Sequence, residues 1–325
     1  MQFFRRGALL GITSLLTTAS FLAAANTFPD KPVKIFVGFA AGGAADIVAR
    51  QLGAKLGEQT GQTFIVDNKP GATGTVAATA AARSPADGYS LLLTSQSTMV
   101  VAPAIYPKLG FDPVKDLTPL TMLVNMPMLL VVHPSVSAKT VQELMAMIKG
   151  GKDMAYASAG AGGPQHMAAE LFASMGKFKL THVPYKGEAP ALTDLLGGQV
   201  QLMFANLPAV MPYMQSDKLR VLAISSAKRH PSLPNLPTLA EAASLPNYDV
   251  QTWYGLFTSA GTPAPIVKKL QDETSAALKS TDLARKLTEQ GFTIIGDAQP
   301  DFKAFIKTEV PRWEKLIKEA NIRVD

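Results

Sequence analysis

Cysteine is absent from this 325-residue chain, and charged residues make up only 17% of it. Without cysteine the chain forms no disulfide, so its fold must depend on the hydrophobic core. A structural zinc site is disfavoured, because such sites are usually built from cysteine and the four histidines lack the spacing of metal ligands. The low charge content and the 47% of hydrophobic residues indicate a folded globular protein rather than a disordered one.

Several signatures of catalysis and nucleic-acid binding are also missing. The sequence contains no G-x-S-x-G turn, which carries the nucleophile in many hydrolases. Its glycine-rich loops match neither the dinucleotide-binding nor the ATP-binding pattern. The formal net charge is +6, or +4 without Arg5 and Arg6, and no basic cluster is interleaved with aromatic residues. We therefore predict no catalytic residues, no metal, no cofactor and no nucleic-acid partner.

Residues 1–25 have the composition of a cleavable signal peptide. Arg5 and Arg6 precede an uncharged apolar segment that ends in Ala23-Ala24-Ala25. A basic start, an apolar segment and an A-x-A motif together predict export, with Asn26 as the first residue of the mature protein. An uncleaved anchor is the alternative, but the segment contains Ser and Thr and is short for a membrane span. We expect a soluble periplasmic protein without a lipid anchor, exported by either the Sec or the twin-arginine route.

Three glycine-rich turns follow strand-like apolar segments and precede helical patterns. The first, Gly38-Phe39-Ala40-Ala41-Gly42-Gly43, lies between Val33–Val37 and a helix that begins near Ala44. The second contains Gly71–Gly74, and the third contains Ser158–Gly163. The first N–H groups of a helix have no intrahelical partner and lie at the positive end of its dipole, so such turns suit anions. Glycine turns are also common in α/β proteins without a ligand, so the pattern alone leaves both interpretations open.

Apolar segments suited to buried strands alternate with helical patterns along the mature chain. This alternation predicts βαβ units and a doubly wound α/β architecture. Two long extended segments, Leu120–Val132 and Val250–Phe257, have the length expected of crossovers between two lobes. We predict lobe I over residues 26–124 and 251–325 and lobe II over residues 125–250, with a ligand cleft between them.

Several short motifs occur together along the mature sequence: Gly42-Gly43-x-x-Asp46 with Ala49-Arg50, Asn68-x-Pro70-Gly71-Ala72-x-Gly74, Asp87-Gly88-Tyr89, Tyr156-x-Ser158-x-Gly160-x-Gly162 with His166, Val183-Pro184-Tyr185-Lys186-Gly187, Gly198-Gln199-Val200 and Gly261-Thr262-Pro263. With these motifs, the sequence resembles the Bug (TctC-like) family of periplasmic solute-binding proteins, the receptors of tripartite tricarboxylate transporters. The resemblance implies a type II periplasmic-binding fold, in which two α/β lobes joined by two crossover strands close on one small ligand without catalysis. It also implies a monomer whose partners are a small organic acid, with one to three carboxylates and possible aromatic character, and the membrane components of the transporter.

In this family, two loops grip one carboxylate of the ligand through backbone amides, partly by way of ordered water. The resemblance carries this role to Phe39, Ala40, Ala41, Gly42 and Gly43, with Asp46 beside them, and to Ser158, Ala159, Gly160, Ala161, Gly162 and Gly163, with His166 beside them. Further contributions are expected from Ser95, Gln96, Ser97, Tyr185, Lys186, Gly187 and Asn206. Two positions depart from the family pattern. Gly163 stands where relatives usually carry Ser or Thr, and Ala205 stands where many carry an Asp suited to an amino group, which disfavours amino-acid ligands.

The candidate side chains also have structural interpretations. Phe39 and Tyr185 could be core aromatics, Lys186 a solvated surface charge, and His166 a residue that caps or packs its helix. Asp46 could be a general base, but a carboxylate in a first helical turn is better explained as ordering the loop. Two other functions remain open: the input domain of a two-component sensor and, less favoured, a periplasmic hydrolase or isomerase.

Overall fold

The structure is a computed structural model that describes residues 28–106, 108–297, 299–320 and 322. The predicted signal peptide and the predicted mature start at Asn26 lie outside the described residues. Within these ranges, strands and helices alternate as the sequence predicts and form a two-lobed α/β fold. Of the helices in these ranges, none combines the length and apolar character that a membrane crossing needs.

The strands form one mixed sheet with the order β2-β1-β3-β9-β4-β7-β5-β6, while β8 and β10 pair with β4 outside this path. Their bounds are β1 Val33–Val37, β2 Phe64–Asn68, β3 Ser90–Ser95, β4 Leu117–Val132, β5 Ala155–Ser158, β6 Thr181–Pro184, β7 Leu202–Asn206, β8 Arg220–Ile224, β9 Gln251–Ser259 and β10 Thr293–Asp297.

Helices follow most of the strands and cover the sheet. Their bounds are α1 Ala44–Thr60, α2 Thr75–Ala82, α3 Ala102–Ile105, α4 Val141–Lys149, α5 Pro164–Gly176, α6 Glu188–Leu196, α7 Leu207–Val210, α8 Leu239–Ala243, α9 Ala264–Lys279, α10 Thr281–Glu289 and α11 Gln299–Glu319. Short 3₁₀ turns lie at Ala72–Gly74 and Met211–Tyr213, and a π-helical turn spans Ser97–Val101.

Each lobe contains a set of three parallel strands. In the first lobe, β1 lies between β2 and β3, and in the second lobe, β5 lies between β6 and β7. Strands such as β3 are almost continuously buried, because helices cover both faces of a parallel sheet. The carboxyl ends of parallel strands meet at one edge of the sheet, so the loops that follow β1, β2 and β3 come together there.

The long strands β4 and β9 join the two lobes. They correspond to the extended segments predicted at Leu120–Val132 and Val250–Phe257. Up to Pro127, β4 pairs antiparallel with β9 and β10, and from Met128 onward it pairs with β7 and β8. The predicted doubly wound arrangement therefore holds for the parallel strands of each lobe, while β4 and β9 add antiparallel ladders between them.

The last helix, α11, packs against β4 and also contacts α5 of the second lobe. Phe302 and Trp313 of α11 are fully buried in a hydrophobic cluster that includes Phe36 of the first lobe and Phe204 of the second. The ring of Phe302 meets that of Trp253 of β9 edge-on, with 5.4 Å between centroids. Full burial of one such side chain contributes about 1.5–3 kcal/mol. One continuous core thus lies under both lobes.

Candidate ligand-binding cleft

The first wall of the candidate site is the loop between β1 and α1, which Asp46 holds from below. Oδ2 of Asp46 accepts hydrogen bonds from the Gly42 N–H at 2.8 Å and from Arg50 Nε at 2.9 Å, and Oδ1 accepts one from Asn68 Nδ2 at 2.9 Å. Burial alone would raise the pKa of Asp46, but these hydrogen bonds and the Arg50 charge lower it below its ordinary value. Asp46 therefore orders the loop, and its side chain does not line the cleft.

The second glycine turn packs directly against this loop. A Cβ atom on Gly38 would lie 2.7 Å from Gly74 Cα, and one on Gly74, whose φ is +87°, would overlap Thr98 Oγ1. That hydroxyl donates to the Thr73 carbonyl at 2.8 Å and accepts from the Thr94 hydroxyl at 2.7 Å. Both positions therefore require glycine, and the close approach fixes the two turns as one wall.

Replacing Gly74 with alanine is expected to lower the free energy of unfolding by about 2–4 kcal/mol. A left-handed backbone costs a residue with a Cβ about 1–2 kcal/mol, and the new methyl group displaces the Thr98 hydroxyl from two hydrogen bonds worth about 1 kcal/mol each. Gly42→Ala is the matched control, because Gly42 has a φ of +81° but no described heavy atom within 4 Å of the added Cβ. Urea unfolding measures both variants, and equal losses would contradict the steric explanation.

The opposite wall is the loop between β5 and α5, which is held by side chains beneath it. Ser158 Oγ accepts a hydrogen bond from the Gly160 N–H at 3.2 Å and lies 2.7 Å from His182 Nε2. Nδ1 of His166 accepts from the Gly162 N–H at 2.9 Å, which places the proton of the neutral ring on Nε2. Ser158 and His166 are buried and lie outside the cleft lining, and their side chains support the loop from beneath.

The two imidazole rings beneath this loop are stacked. The ring centroids of His166 and His182 are 3.9 Å apart with 12° between their planes, and Tyr156 stacks on His182 at 4.8 Å. The Tyr156 hydroxyl donates to Glu170 Oε1 at 2.6 Å. Burial, with a smaller effect of the neighbouring ring, lowers the pKa of His166 to about 3, and burial lowers the pKa of His182 to about 4. Both rings are therefore neutral at pH 7.

The backbone amides that the sequence predicts for a ligand are only partly available in the two loops. Five glycine N–H groups of the two loops are used inside the protein: Gly42 donates to Asp46, Gly43 to Ala40, Gly160 to Ser158, Gly162 to His166 and Gly163 to Gly160. Within the described ranges, no acceptor reaches the N–H groups of Ala44 and Ala45 on one side or of Ala159 and Ala161 on the other. All four residues line the cleft. Ala159 and Ala161 are among the predicted residues, whereas Ala44 and Ala45 follow the first predicted loop directly.

The two walls enclose a cleft of about 780 Å³, within the range of small-molecule sites. Predicted residues in its lining are Phe39, Ala40, Gly43, Ser95, Ser97, Ala159, Gly160, Ala161, Gly163, Lys186, Gly187 and Asn206. Predicted residues that lie outside the lining are Ala41, Gly42, Asp46, Gln96, Ser158, Gly162, His166 and Tyr185. Several of these hold the walls from behind; the Tyr185 hydroxyl, for example, donates to Asp194 at 2.7 Å.

Other lining residues were not among the candidates from the sequence. They are Gly38, Ala44, Ala45, the turn 70–74, Pro164, Gln165, Glu188, Thr252 and Tyr254. The second glycine turn already has an anion-binding pattern, so its place in the wall had a sequence signal. Thr252 and Tyr254 lie on β9, and only the pairing of β9 with β3 and β4 brings them under the cleft.

Three buried polar atoms at the base of the cleft have no hydrogen-bond partner in the described part of the chain. They are Ser97 Oγ, Thr252 Oγ1 and Asn206 Oδ1. Thr252 pairs opposite Met126 of β4 and Asn206 opposite Met128, so both lie where the lobes join. Because buried polar groups are nearly always hydrogen-bonded, a ligand or water is expected to complete these three. Among the described side chains, no group of three or more Asp, Glu and His could hold a metal ion.

Two α/β lobes, two strands that join them and a polar cleft between their loops define a solute-binding protein of the Venus flytrap type. Two solved structures of this type are similar over most of the chain. Rpa4515 of R. palustris with adipate is 36% identical, with a TM-score of 0.83 and coverage of 91% of this chain and 100% of that chain. MatC of Rhodopseudomonas palustris with bound malate is 34% identical, with a TM-score of 0.79 and coverage of 89% and 100%.

Sequence comparison shows the family. The family model described as "Tripartite tricarboxylate transporter family receptor" (TctC) matches residues 48–322. The "UPF0065 protein in tcbD-tcbE intergenic region" of Pseudomonas sp. (strain P51) is 35% identical over 99% of this chain and 96% of its own length. Protein BugT of Bordetella pertussis is 33% identical over the full length of both chains. This chain therefore belongs to the Bug (TctC) family of tripartite tricarboxylate transporter receptors, and the predicted family is confirmed.

Proposed function

We propose that this protein is exported to the periplasm, binds a small organic carboxylate between its lobes and delivers it to the membrane components of a tripartite tricarboxylate transporter. In this proposal it acts as a monomer and catalyses no reaction. The observation that carries the proposal is a pair of amides on each side of the cleft, at Ala44 and Ala45 and at Ala159 and Ala161, that no acceptor of the described residues reaches. Adipate and malate in the structures of Rpa4515 and MatC support a small carboxylate as the ligand.

A carboxylate is well suited to these four amides. Ala44 and Ala45 lie in the first turn of α1, where the helix dipole favours negative charge. The opposite loop supplies donors from the other lobe, so a ligand bound to both sides favours the closed form over an open one. We assign lobe I to residues 26–124 and 251–325 and lobe II to residues 125–250. The change of β4 partners after Pro127 supports a bend near this boundary.

One pair of side chains has the spacing of a hydrolase nucleophile and its base. Ser158 Oγ and His182 Nε2 are 2.7 Å apart. Ser158 is fully buried, however, and its hydroxyl also donates to the Gly160 carbonyl at 3.1 Å, while neither residue lines the cleft. A substrate in the cleft would not reach this hydroxyl, which supports binding over hydrolysis.

A screen of mono-, di- and tricarboxylates, including adipate and malate, is expected to raise the melting temperature of the mature protein by about 5–10 °C for its best ligands. A ligand that binds only the folded state stabilises it by RT ln(1 + [L]/Kd), about 2.7 kcal/mol at a hundredfold excess over Kd. Each kcal/mol corresponds to roughly 2–4 °C in a protein of this size. Differential scanning fluorimetry measures the shift, with the matching neutral amides, such as adipamide, as controls. Amides that stabilise as well as the acids would show that the carboxylate is not the recognised group.

A further inference from the structure

Glu188 is the only carboxylate among the described residues that line the cleft. It is the first residue of α6 and follows Gly187, whose φ of +118° turns the chain into the helix. Its two oxygens accept hydrogen bonds from the main-chain N–H and the side-chain Nδ2 of Asn206, both at 2.7 Å. These bonds fix the carboxylate against the end of β7, at the base of the cleft.

A second acceptor lies beside this carboxylate. Because the Nδ2 group of Asn206 is used by Glu188, its Oδ1 atom is the part left without a partner, and the residue is more than nine-tenths buried. A carboxylate accepts about four hydrogen bonds, and Glu188 receives two from Asn206. The Glu188 carboxylate and Asn206 Oδ1 can therefore both accept a further hydrogen bond, and a ligand with a donor group would supply it.

Among the described residues, no Lys, Arg or His forms a salt bridge with the Glu188 carboxylate, so the protein leaves its ionised form without a counter-charge. The groups that stabilise its ionised form are hydrogen bonds from Asn206 and Gln165, and burial raises its pKa above the ordinary value. The charge also reaches Tyr254 across the cleft base, where burial and then Glu188 raise the pKa of the phenol. A hydroxyl or ammonium group placed here would donate to the acceptors of Glu188 and Asn206, and an ammonium would also favour the ionised form of Glu188, whereas a ligand carboxylate would favour the protonated form that burial already promotes.

We propose that Glu188 makes this cleft selective for organic acids that carry a hydrogen-bond donor in addition to the carboxylate, with an ammonium group preferred to a hydroxyl. The inference rests on the proposed function, because the ligand carboxylate must occupy the amides of the two loops. The absence of an Asp at position 205 led to the expectation that amino-acid ligands are disfavoured, and the present inference reverses that expectation. Ala205 is fully buried in the core, and Glu188 brings from α6 the carboxylate that the sequence lacks at position 205.

Titration calorimetry with matched acids tests this selectivity in the mature protein. The probes are the four-, five- and six-carbon dicarboxylates, each unsubstituted, with a 2-hydroxyl and with a 2-ammonium group, together with ω-amino acids of the same lengths. For the best chain length, the ammonium compound is expected to bind about 10–100-fold more tightly than the unsubstituted acid, the scale of one charge-assisted hydrogen bond. In Glu188→Gln the preference for the ammonium compound over the unsubstituted acid should fall to about threefold or less.

Glu314→Gln is the control, because it makes the same change on an exposed face of α11; its preference should equal that of the wild type. Thermal melts confirm that each variant folds. The role of Glu188 is overturned if Glu188→Gln keeps the wild-type preference, or if the wild type binds unsubstituted acids as tightly as their ammonium counterparts. If folded protein binds none of the acids, the proposed function fails together with this inference, whereas binding without donor preference refutes the inference alone.

Discussion

Replacing Gly43 with leucine is expected to weaken carboxylate binding at least about 100-fold while the protein remains folded. Gly43 lines the cleft next to the available N–H groups of Ala44 and Ala45. Its φ of −78° is open to any residue, and an added Cβ would meet only the Ala40 carbonyl at 3.3 Å. The leucine side chain would then stand where the ligand carboxylate approaches. Loss of two hydrogen bonds to a charged group, at about 1.5–3 kcal/mol each, accounts for the expected size.

Gly150→Leu is the matched control for this experiment. Gly150 has a φ of −76°, and its added Cβ would meet the Ala146 carbonyl at 3.2 Å, but it follows α4 and lies outside the cleft lining. Both variants are titrated with the tightest carboxylate of the screen, and their melting temperatures report any general loss of stability. Tight binding by Gly43→Leu would place the carboxylate elsewhere in the cleft and refute the assignment of the Ala44 and Ala45 amides.

Lowering the pH from 8 to 5 is expected to cost the folded state about 2 kcal/mol through His166 alone. Its pKa is about 3 in the folded protein and near its ordinary value of 6.5 in the unfolded chain, so the unfolded chain takes up the proton first. The contribution is fully present above pH 6.5 and is lost progressively as the pH falls toward the folded pKa. His182, whose pKa burial lowers to about 4, acts in the same direction and by a similar amount over this pH range. Glu170, whose pKa burial raises, acts in the opposite direction.

His166→Gln isolates this effect, because glutamine offers an oxygen to the Gly162 N–H but does not titrate. Urea unfolding at pH 8 and pH 5 gives the free energy of unfolding of both proteins. The variant loses packing and is expected to be less stable than the wild type at pH 8, but its further loss on going to pH 5 should be smaller by about 2 kcal/mol. The same pH dependence in both proteins would mean that His166 takes up its proton in the folded state as readily as in the unfolded chain.

The walls of the cleft could be predicted from the sequence because their signal is local. A strand, a glycine turn and a helix start occur within a few residues at Gly38–Gly43 and at Ser158–Gly163, and the structure places both loops in the walls. The role of Asp46 was also predictable, since a carboxylate in a first helical turn lies next to the N–H groups of its own loop. The local sequence pattern therefore identified both loops of the cleft and the residue, Asp46, that holds the first of them.

The choice of donors within these loops could not be predicted in the same way. The N–H groups of Gly42 and Gly162 turn away from the cleft because Asp46 and His166 accept them, and this depends on backbone angles that no residue pattern specifies. The base of the cleft depends on distant parts of the chain. Glu188 reaches Asn206, 18 residues away in sequence, only because β5 and β7 are neighbours in the sheet.

Strand β4 runs without interruption through both lobes, so one lobe cannot be separated from the other without cutting this strand. A fragment that contained one lobe would have to cut this 16-residue strand and would expose the backbone edge of its remaining half. It would also split the hydrophobic cluster that joins Phe36 to Phe204. The two lobes therefore share one strand and one hydrophobic cluster, and we expect that neither lobe folds as an independent module.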